Sequence, residues 1–518
     1  MYNDLTKNIY KNFHYVALII LLCLIIYLFG ENLFAKWWLI DDHEIFRFLG
    51  NSKNQNIWAD FYSIIVNKTE IGNFGNFPRY RPSYYILRLL ETFLWKDNSI
   101  YWYAFRLIVS YFFVVAIYLY FNKLFTKPTS LLIALFIILQ TYFNDIFSRL
   151  GPGEFYCILG LLILFYSFYF LNKKNKITLF IIFSTLGCLI SIGSKENFLF
   201  LTLLPFFIIW KFKKRLKSYD YVILLLPFLY AILIFLSLFL TFQKGSSDIY
   251  GNSVGIGDRL FILFNSYLNM YSLISILIIG ISSFIVFKLF KKVYINIFYI
   301  IVLNFFVLSF NIVFYNGDFP QDNRYDFPGV LSIQIIGILF LYLLLKYLLG
   351  YLNATRLFKR HCFEMMMVFI LLISIPWQNA SKIYQATLLN KQRTNDFSKS
   401  LLKLRKIEAN TSLILLYDRV LDFEPVDSFN FYLNYWNVKN SKSIYVNKPF
   451  PQNPWEEGLV GFMENVASYG NSEMKITKLD LMLMSSTTCA IIYFHENSIN
   501  KLGNKNFCKN QKMVYIPF

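Results

Sequence analysis

Long apolar runs, separated by short loops rich in lysine and arginine, decide what this chain can fold into. An apolar run of about 20 residues, wound as a helix, crosses the roughly 30 Å of hydrocarbon in a bilayer. Such runs recur at approximately 14–34, 101–121, 129–144, 155–172, 177–193, 197–211, 220–242, 264–287, 293–315, 328–349 and 362–378. The expectation is an α-helical polytopic membrane protein with about eleven transmembrane helices. The short runs 197–211 and 362–378 suit tilted or re-entrant segments as well as full spans. Composition agrees, since 56% of the residues are hydrophobic, against about 45–50% apolar in soluble domains. The 20% aromatic content suits a bilayer and its interfaces.

The formal net charge is +19. In a soluble chain that would suggest nucleic acid, but here the basic residues fall in alternate loops. With the N-terminus inside, the inner loops carry Lys7 and Lys11; Lys123 and Lys127; Lys173, Lys174 and Lys176; Lys211, Lys213, Lys214, Arg215 and Lys217; Lys288, Lys291 and Lys292; and Arg356, Lys359 and Arg360. The short outer loops carry mainly single bases, accompanied by acids. The positive-inside rule accounts for the charge, so no nucleic-acid partner is expected. The placement expected is a bacterial inner (plasma) membrane with the N-terminus cytoplasmic. The run Tyr15 to Gly30 has no clean small-residue cleavage site after it and reads as a retained first span.

Two segments are too long and polar to span, residues 35–100 and 379–518, and the alternation puts both outside. The expected organisation is a transmembrane domain over 1–378, with 35–100 as its first outer loop, and a C-terminal extracytoplasmic domain over 379–518. The loop reads as amphipathic helices; Tyr84 to Trp95 sets Arg88 and Glu91 among apolar neighbours, as an interfacial helix does. The tail has strand-like runs at Ser412–Tyr417, Ser443–Val446 and Cys489–Phe494, with helical stretches near Asp396–Ile407 and Trp455–Tyr469. That pattern suggests a small α/β domain. Cys489 and Cys508 are able to pair there if the tail lies in an oxidising compartment. No Cys/His cluster has zinc spacing, and no Walker loop or GxGxxG fingerprint supports direct use of a nucleotide.

Chemistry-bearing clusters sit at the outer mouths of the spans. The first is Asp41-Asp42-His43-Glu44, just after Trp37 and Trp38. It reads as a carboxylate general base, or as a helix start in which Asp41 and Glu44 form a capping box. On a helix, neighbouring residues point about 100° apart, so one aspartate can cap while the other reacts. The second cluster, Phe77 to Tyr85, places Arg79 and Arg81 around Tyr80 between two prolines. It suits a clamp on a lipid phosphate or a snorkelling anchor. The third holds Asp145, Arg149 and Glu154 around Gly151-Pro152-Gly153, where Asp145 and Arg149 have the spacing of a helical ion pair. The fourth is Lys195-Glu196 in a very short turn near the membrane plane, where charges are costly and usually functional. The fifth, Gly317 to Pro328, offers Arg324 to a phosphate, with Asp326 as a partner for it.

In its architecture the chain resembles the GT-C superfamily of integral-membrane glycosyltransferases, which includes protein O-mannosyltransferases and the aminoarabinose transferases of bacterial envelopes. The resemblance lies in an N-in first span, a long outer loop opening on Asp41-Asp42, further spans and a C-terminal outer domain; locally it is carried by WWLIDDHEI, RYRPSYYILRLLE and NRYDFPG. It implies transfer of a sugar from a polyprenyl-phosphate-linked donor to an extracytoplasmic glycan, lipid or protein acceptor. It implies an aspartate base, Asp41 first and Asp42 second, and lipid-phosphate or donor contacts among Arg79, Arg81, Arg149, Lys195 and Arg324. Glu44, Asp145, Glu154 and Glu196 stand as secondary acids. The family's acidic pair is often Asp-Glu, whereas this chain reads Asp-Asp-His-Glu. Some relatives use a divalent metal such as Mg or Mn, an option that His43 and Glu44 keep open. The competing reading is a transporter or flippase for a lipid-linked envelope precursor. That reading calls for charges within spans and inverted repeats; Arg106 is the clearest such charge, and no repeat is visible.

The alternation of charge makes a direct prediction. With Cys23, Cys157, Cys188 and Cys362 changed to serine, Lys214→Cys should react with a membrane-impermeant maleimide only from the cytoplasmic side. Ser247→Cys should react only from outside. Labelling of both from one side would break the expected topology.

Overall fold

The computed structural model describes residues 2–40, 42–50, 61–62, 80–171, 176–242, 257, 261, 304, 306–311, 323–349, 355–408, 410–417, 423–438, 440, 442–446, 475–477, 488–495 and 508–516. Asp41 and Arg79 lie outside these residues, as do most of the runs 264–287 and 293–315 and the stretch Trp455–Tyr469.

In chain order the helices are α1 (Tyr2–Phe29), α2 (His43–Gly50), α3 (Pro82–Trp95), α4 (Ser99–Phe121), α5 (Lys127–Ile138), α6 (Tyr142–Ser148), α7 (Glu154–Leu171), α8 (Ile177–Ile192), α9 (Leu203–Phe212), α10 (Ser218–Phe242), α11 (Gly329–Leu348), α12 (Arg356–Ser374), α13 (Gln378–Leu404) and α14 (Phe423–Tyr435). The strands are β1 (Ser412–Tyr417), β2 (Lys442–Val446), β3 (Lys475–Thr477), β4 (Thr488–Tyr493) and β5 (Asn510–Tyr515). Among the described residues, four segments are long and apolar enough to cross a membrane: Asn12–Phe34, Ser99–Phe121, Glu154–Leu171 and Ser218–Ser237. The number rises to six if two bent pairs each count as one span: α5 with α6, bent by 77°, and His361–Ser374 with α13, bent by 44°. The run 197–211 is not one continuous helix; a 3-10 segment, Glu196–Thr202, leads into the ten-residue α9.

The chain divides into two compact units. The first comprises Met1–Glu31, Phe105–Leu236 and Val254–Thr387, and the second Asn32–Ala104, Ser237–Ser253 and Leu388–Phe518. The division therefore does not follow the expected boundary at 378/379. The first outer loop groups with the tail.

Within the first unit, α7 and α8 meet at glycines. A Cβ on Gly160 would sit 2.6 Å from the Gly187 carbonyl oxygen, and one on Gly187 would sit 2.5 Å from that of Gly160. Small residues let backbones approach where lipid offers no hydrophobic drive between helices. The Ser191 hydroxyl donates to the Cys157 carbonyl at 3.2 Å and ties the same two helices. At the start of α5, the hydroxyls of Thr126 and Thr129 donate to Glu364 Oε2 of α12 at 2.6 and 2.7 Å. An acid within a span thus has two donors and a helix N-terminus beside it.

Helix ends in this unit are closed by side chains. The α5–α6 break leaves carbonyls that no helical N–H reaches; Gln140 Nε2 donates to the Phe136 carbonyl at 2.8 Å, and Asn379 Nδ2 to that of Leu139 at 3.0 Å. α12 stops before Pro376, which cannot donate to a helical ladder. α6 ends at Ser148 and Arg149 is extended, so the helical spacing expected to pair Asp145 with Arg149 is not realised.

In the second unit a five-stranded, all-parallel sheet has the order β3-β2-β1-β4-β5. The order grows outward from β1 in both directions, as in doubly wound α/β folds. All three expected strands are present; β3, β5 and α14 were not anticipated. The helix expected near Asp396–Ile407 is the last part of the longer α13. Cys489 and Cys508 form a disulfide beside Ile414, Leu416 and Ile491. In α3, Arg88 and Glu91 are buried while Leu90, Phe93 and Leu94 are 48, 63 and 66% exposed. The helix is amphipathic as expected, with its polar face turned inward and its apolar face outward.

The glycine contact can be tested by size alone. Gly187→Ala should cost about 1–3 kcal/mol through overpacking, read as a lower Tm in detergent. Gly337→Ala, whose new methyl would meet nothing within 4 Å, should leave Tm unchanged. Equal behaviour of the two variants would contradict the close α7–α8 approach.

Candidate functional site

The acidic turn lies in the second unit. Trp37 and Trp38 are buried, and the Trp38 N–H donates to Asp42 Oδ2 at 2.7 Å. The Asp42 carbonyl accepts the Ile45 N–H at 3.1 Å, so Asp42 stands immediately before α2 and closes the turn into it. The helix starts at His43, one residue later than a capping box between Asp41 and Glu44 requires. Asp42 is 1% exposed.

Glu44 has a different environment. Its Oε2 accepts the Tyr84 hydroxyl at 2.6 Å and its Oε1 accepts that of Tyr85 at 3.1 Å. Arg88, fully buried, lies 3.9 Å from Oε2 and donates to the Tyr84 hydroxyl at 3.0 Å. The guanidinium also packs over the Trp102 ring, 5.6 Å from its centre. Burial, then the opposing fields of Arg88 and Glu44, leave the Tyr84 phenol well above its ordinary range, so it remains a donor. Both oxygens of Glu44 are therefore committed to joining α2 to α3. Arg81 is half-buried at the N-cap of α3. Among the described residues, no group of three His, Cys, Asp or Glu side chains is placed to hold a metal ion.

The second cluster lies in the first unit and is built on helix ends. Arg106 of α4 donates to the Leu150 carbonyl and stacks 4.0 Å from the centre of the Phe155 ring. The charge deep in a span is thus used to hold the Gly151-Pro152-Gly153 turn. That turn delivers Glu154 to the first residue of α7, where a helix N-terminus favours an acid. Glu154 is wholly buried and pairs with Lys195 Nζ at 2.8 Å; Lys195 is 5% exposed.

Lys195 Nζ also lies 5.5 Å from the centre of the Tyr325 ring, and the Arg324 guanidinium lies 5.2 Å from it. Arg324 Nη2 donates to the Tyr325 hydroxyl at 3.3 Å. Burial by itself would push this phenol up, but the charges of Arg324 and Lys195, with Glu154 opposing, hold it below the ordinary tyrosine range. A half-buried phenol that ionises more readily than usual marks a positive local potential. A positive potential of that kind attracts an anion.

The turn carrying Arg324 and Tyr325 is held by amides. Asn197 Nδ2 donates to the Phe327 carbonyl and to Asn311 Oδ1, both at 3.1 Å, and Asn311 Nδ2 donates to the Tyr325 carbonyl at 2.9 Å. Asn323 Oδ1 accepts the Tyr325 N–H at 2.8 Å, an Asx turn. Phe327 is buried against Phe198 and Phe143 at 5.5 and 6.2 Å, ahead of a cis Phe327–Pro328 bond. This turn leads into α11, where Val330, Ile338 and Leu341 join Phe136, Ile370 and Leu371 around an apolar cleft of about 480 Å³.

Of the residues singled out in the sequence, Glu154, Lys195 and Arg324 come together. Glu196 and Asp326 are buried next to them in sequence, Asp145 is half-buried on α6, and Arg149 follows that helix in extended backbone. Tyr325, Asn197 and Asn311 were not assigned roles. Their one sequence signal was a polar residue within or beside an apolar run, which in a membrane calls for a stated partner. No known family model matches this chain, and no curated protein matches it either.

The Tyr325 field is measurable. Burial raises the phenol pKa and the cations lower it, so removing a cation must raise it. With 3-fluorotyrosine at position 325, the ¹⁹F resonance should titrate below that of free 3-fluorotyrosine. Lys195→Met should move the transition to higher pH; no movement would show that Lys195 does not act on this phenol.

Proposed function

We propose that this chain is a membrane glycosyltransferase that moves a sugar from a polyprenyl-phosphate-linked donor to a hydroxyl outside the cytoplasm. The reading includes a GT-C-like architecture of about eleven spans, an N-terminus inside, and a tail in the extracytoplasmic compartment of a bacterial inner membrane. The Cys489–Cys508 disulfide supports that placement, because disulfides persist in oxidising compartments.

The observation that carries the reading is the basic cluster. Lys195 and Arg324, separated by a large stretch of sequence, share one phenol and one carboxylate. Their positive charge suits a phosphate. The apolar cleft lined by α11 suits a hydrocarbon chain attached to it. In the proposed reaction, an aspartate takes the proton of the acceptor hydroxyl while its oxygen bonds to the anomeric carbon. The bond from that carbon to the phosphate oxygen breaks, and the electron pair leaves with the lipid phosphate. Lys195 and Arg324 stabilise the charge that develops there. Asp41 is assigned the proton transfer and Asp42 the shaping of the turn, because Asp42 is buried and already accepts the Trp38 N–H. Glu44, with both oxygens taken by tyrosines, is assigned a structural part. No step is routed through a metal.

The test is transfer of labelled sugar by the purified full chain in nanodiscs, with a panel of polyprenyl-phosphate sugars as donors and envelope glycans, lipids and proteins as acceptors. Asp41→Asn should lower kcat by roughly 100-fold or more, the usual range for a general base. Lys195→Met and Arg324→Met should each raise the donor KM. Full activity in both Asp41→Asn and Asp42→Asn would remove the base assignment. Absence of transfer from every such donor would overturn the transferase reading and return the transporter or flippase to first place.

A further inference from the structure

The roles above leave the C-terminal α/β domain without a part in the reaction. Its helix α14 carries Tyr432, which is fully buried and donates its hydroxyl to the Trp38 carbonyl. Trp38 in turn gives its N–H to Asp42 Oδ2 at 2.7 Å. One residue of the extended segment before α2 therefore links the phenol of the tail to the carboxylate of the acidic turn. The contact is reinforced on both sides. The Tyr432 ring lies 4.3 Å from Phe46 of α2 and 5.1 Å from Phe397 of α13. The Arg393 guanidinium of α13 lies 4.6 Å from the centre of the Trp38 ring, so α13 holds that side chain while α14 holds its backbone.

We infer that Tyr432 is a positioning residue, through which the C-terminal domain holds the acidic turn in its working geometry. The inference rests on the reading of that turn as the source of the general base. Its physical basis is the peptide group of Trp38. Without the phenol, the Trp38 carbonyl loses the donor that α14 supplies, and depriving a buried acceptor of a donor carries a desolvation penalty. The backbone must then shift or admit water, and the turn it leads into shifts with it. Burial, and then the nearby charge of Asp42, raise the Tyr432 phenol well above its ordinary range, so the donor is retained throughout neutral and mildly alkaline pH.

Two alternatives explain the same buried ring. Tyr432 could be a packing residue whose hydroxyl is incidental, or its loss could unfold the whole domain. Tyr432→Phe keeps the ring and removes only the donor. Measured on the full chain in nanodiscs, amide hydrogen exchange over residues 37–46 should quicken at least 10-fold in this variant. Exchange in β1 and β4 should not change. In the transfer assay kcat should fall roughly 10- to 100-fold, as for a small misplacement of a catalytic group, with donor KM within about two-fold. Tyr435→Phe supplies the control, because it removes from the same helix a hydroxyl that bonds Asp97 at 3.0 Å and does not touch Trp38. It should leave both readouts unchanged.

Unchanged exchange over 37–46 in Tyr432→Phe would overturn the inference, and so would an unchanged kcat alongside a large loss in Asp41→Asn. If both aspartate variants remain active, the base assignment fails, and the exchange data still decide whether Tyr432 holds the turn. Should Tyr432→Phe fail to fold, 3-fluorotyrosine at position 432 replaces it. Asp42→Asn should then shift the fluorine resonance, and no shift would count against the link.

Discussion

Backbone that leaves helical geometry in an apolar setting must find hydrogen-bond partners within the protein, and this requirement organises the first unit. Each helix break among the described residues that bears on the site is met by a side chain. Gln140 and Asn379 serve the α5–α6 break, Arg106 the turn before α7, and Asn197 and Asn311 the turn before α11. Glu154, Lys195 and Arg324 all sit at such breaks. The groups that satisfy the backbone are thus the same groups that fix the positions of the charges, and the cluster owes its geometry to helix termination as much as to its own ion pair.

This explains why the site was only partly legible in the sequence. Lys195 and Arg324 were recognisable because a charge beside an apolar run is expensive and needs a purpose. Their meeting was not, because it depends on a chain of amides, Asn197 to Asn311 to the 325–327 backbone, that has no periodicity. Tyr325 was in plain view but carries no charge of its own; its significance comes from the field its neighbours impose. In α3 the sequence set Arg88 and Glu91 among apolar neighbours, as in an interfacial helix, yet it does not say which face turns inward. In water the apolar face would be buried. Here the polar face is, because Glu44 of α2 partners its Tyr84, Tyr85 and Arg88. In the tail, β1 and β4 were legible as continuous apolar runs, while β3 has three residues and β5 is polar and at the sheet edge, where the apolar signal is weakest.

The acidic turn illustrates how adjacent identical residues acquire different work. Asp42 precedes α2, accepts a backbone N–H and is shielded from solvent. A carboxylate that accepts a backbone N–H from the turn before its helix has a structural task. The turn itself is fastened by Trp38, whose ring is gripped by α13 and whose carbonyl is gripped by α14. The association of residues 32–104 with 388–518 in one compact unit follows from such contacts.

Glu154 is the least obvious member of the basic cluster, since an acid beside the proposed phosphate site would weaken phosphate binding. Its value lies in the unliganded state. Lys195 is almost wholly buried and Arg324 half-buried, and an unpaired buried cation carries a desolvation penalty of several kcal/mol. Without an acid, that penalty would stand uncompensated. One carboxylate lies 2.8 Å from Lys195 Nζ, and the Arg324 guanidinium stands at the Tyr325 hydroxyl. The ion pair therefore does not compete with the proposed ligand so much as make a permanently charged, preorganised receptor for it. Arg106, by holding the turn that delivers Glu154, belongs to the same construction although it bears no relation to the ligand itself.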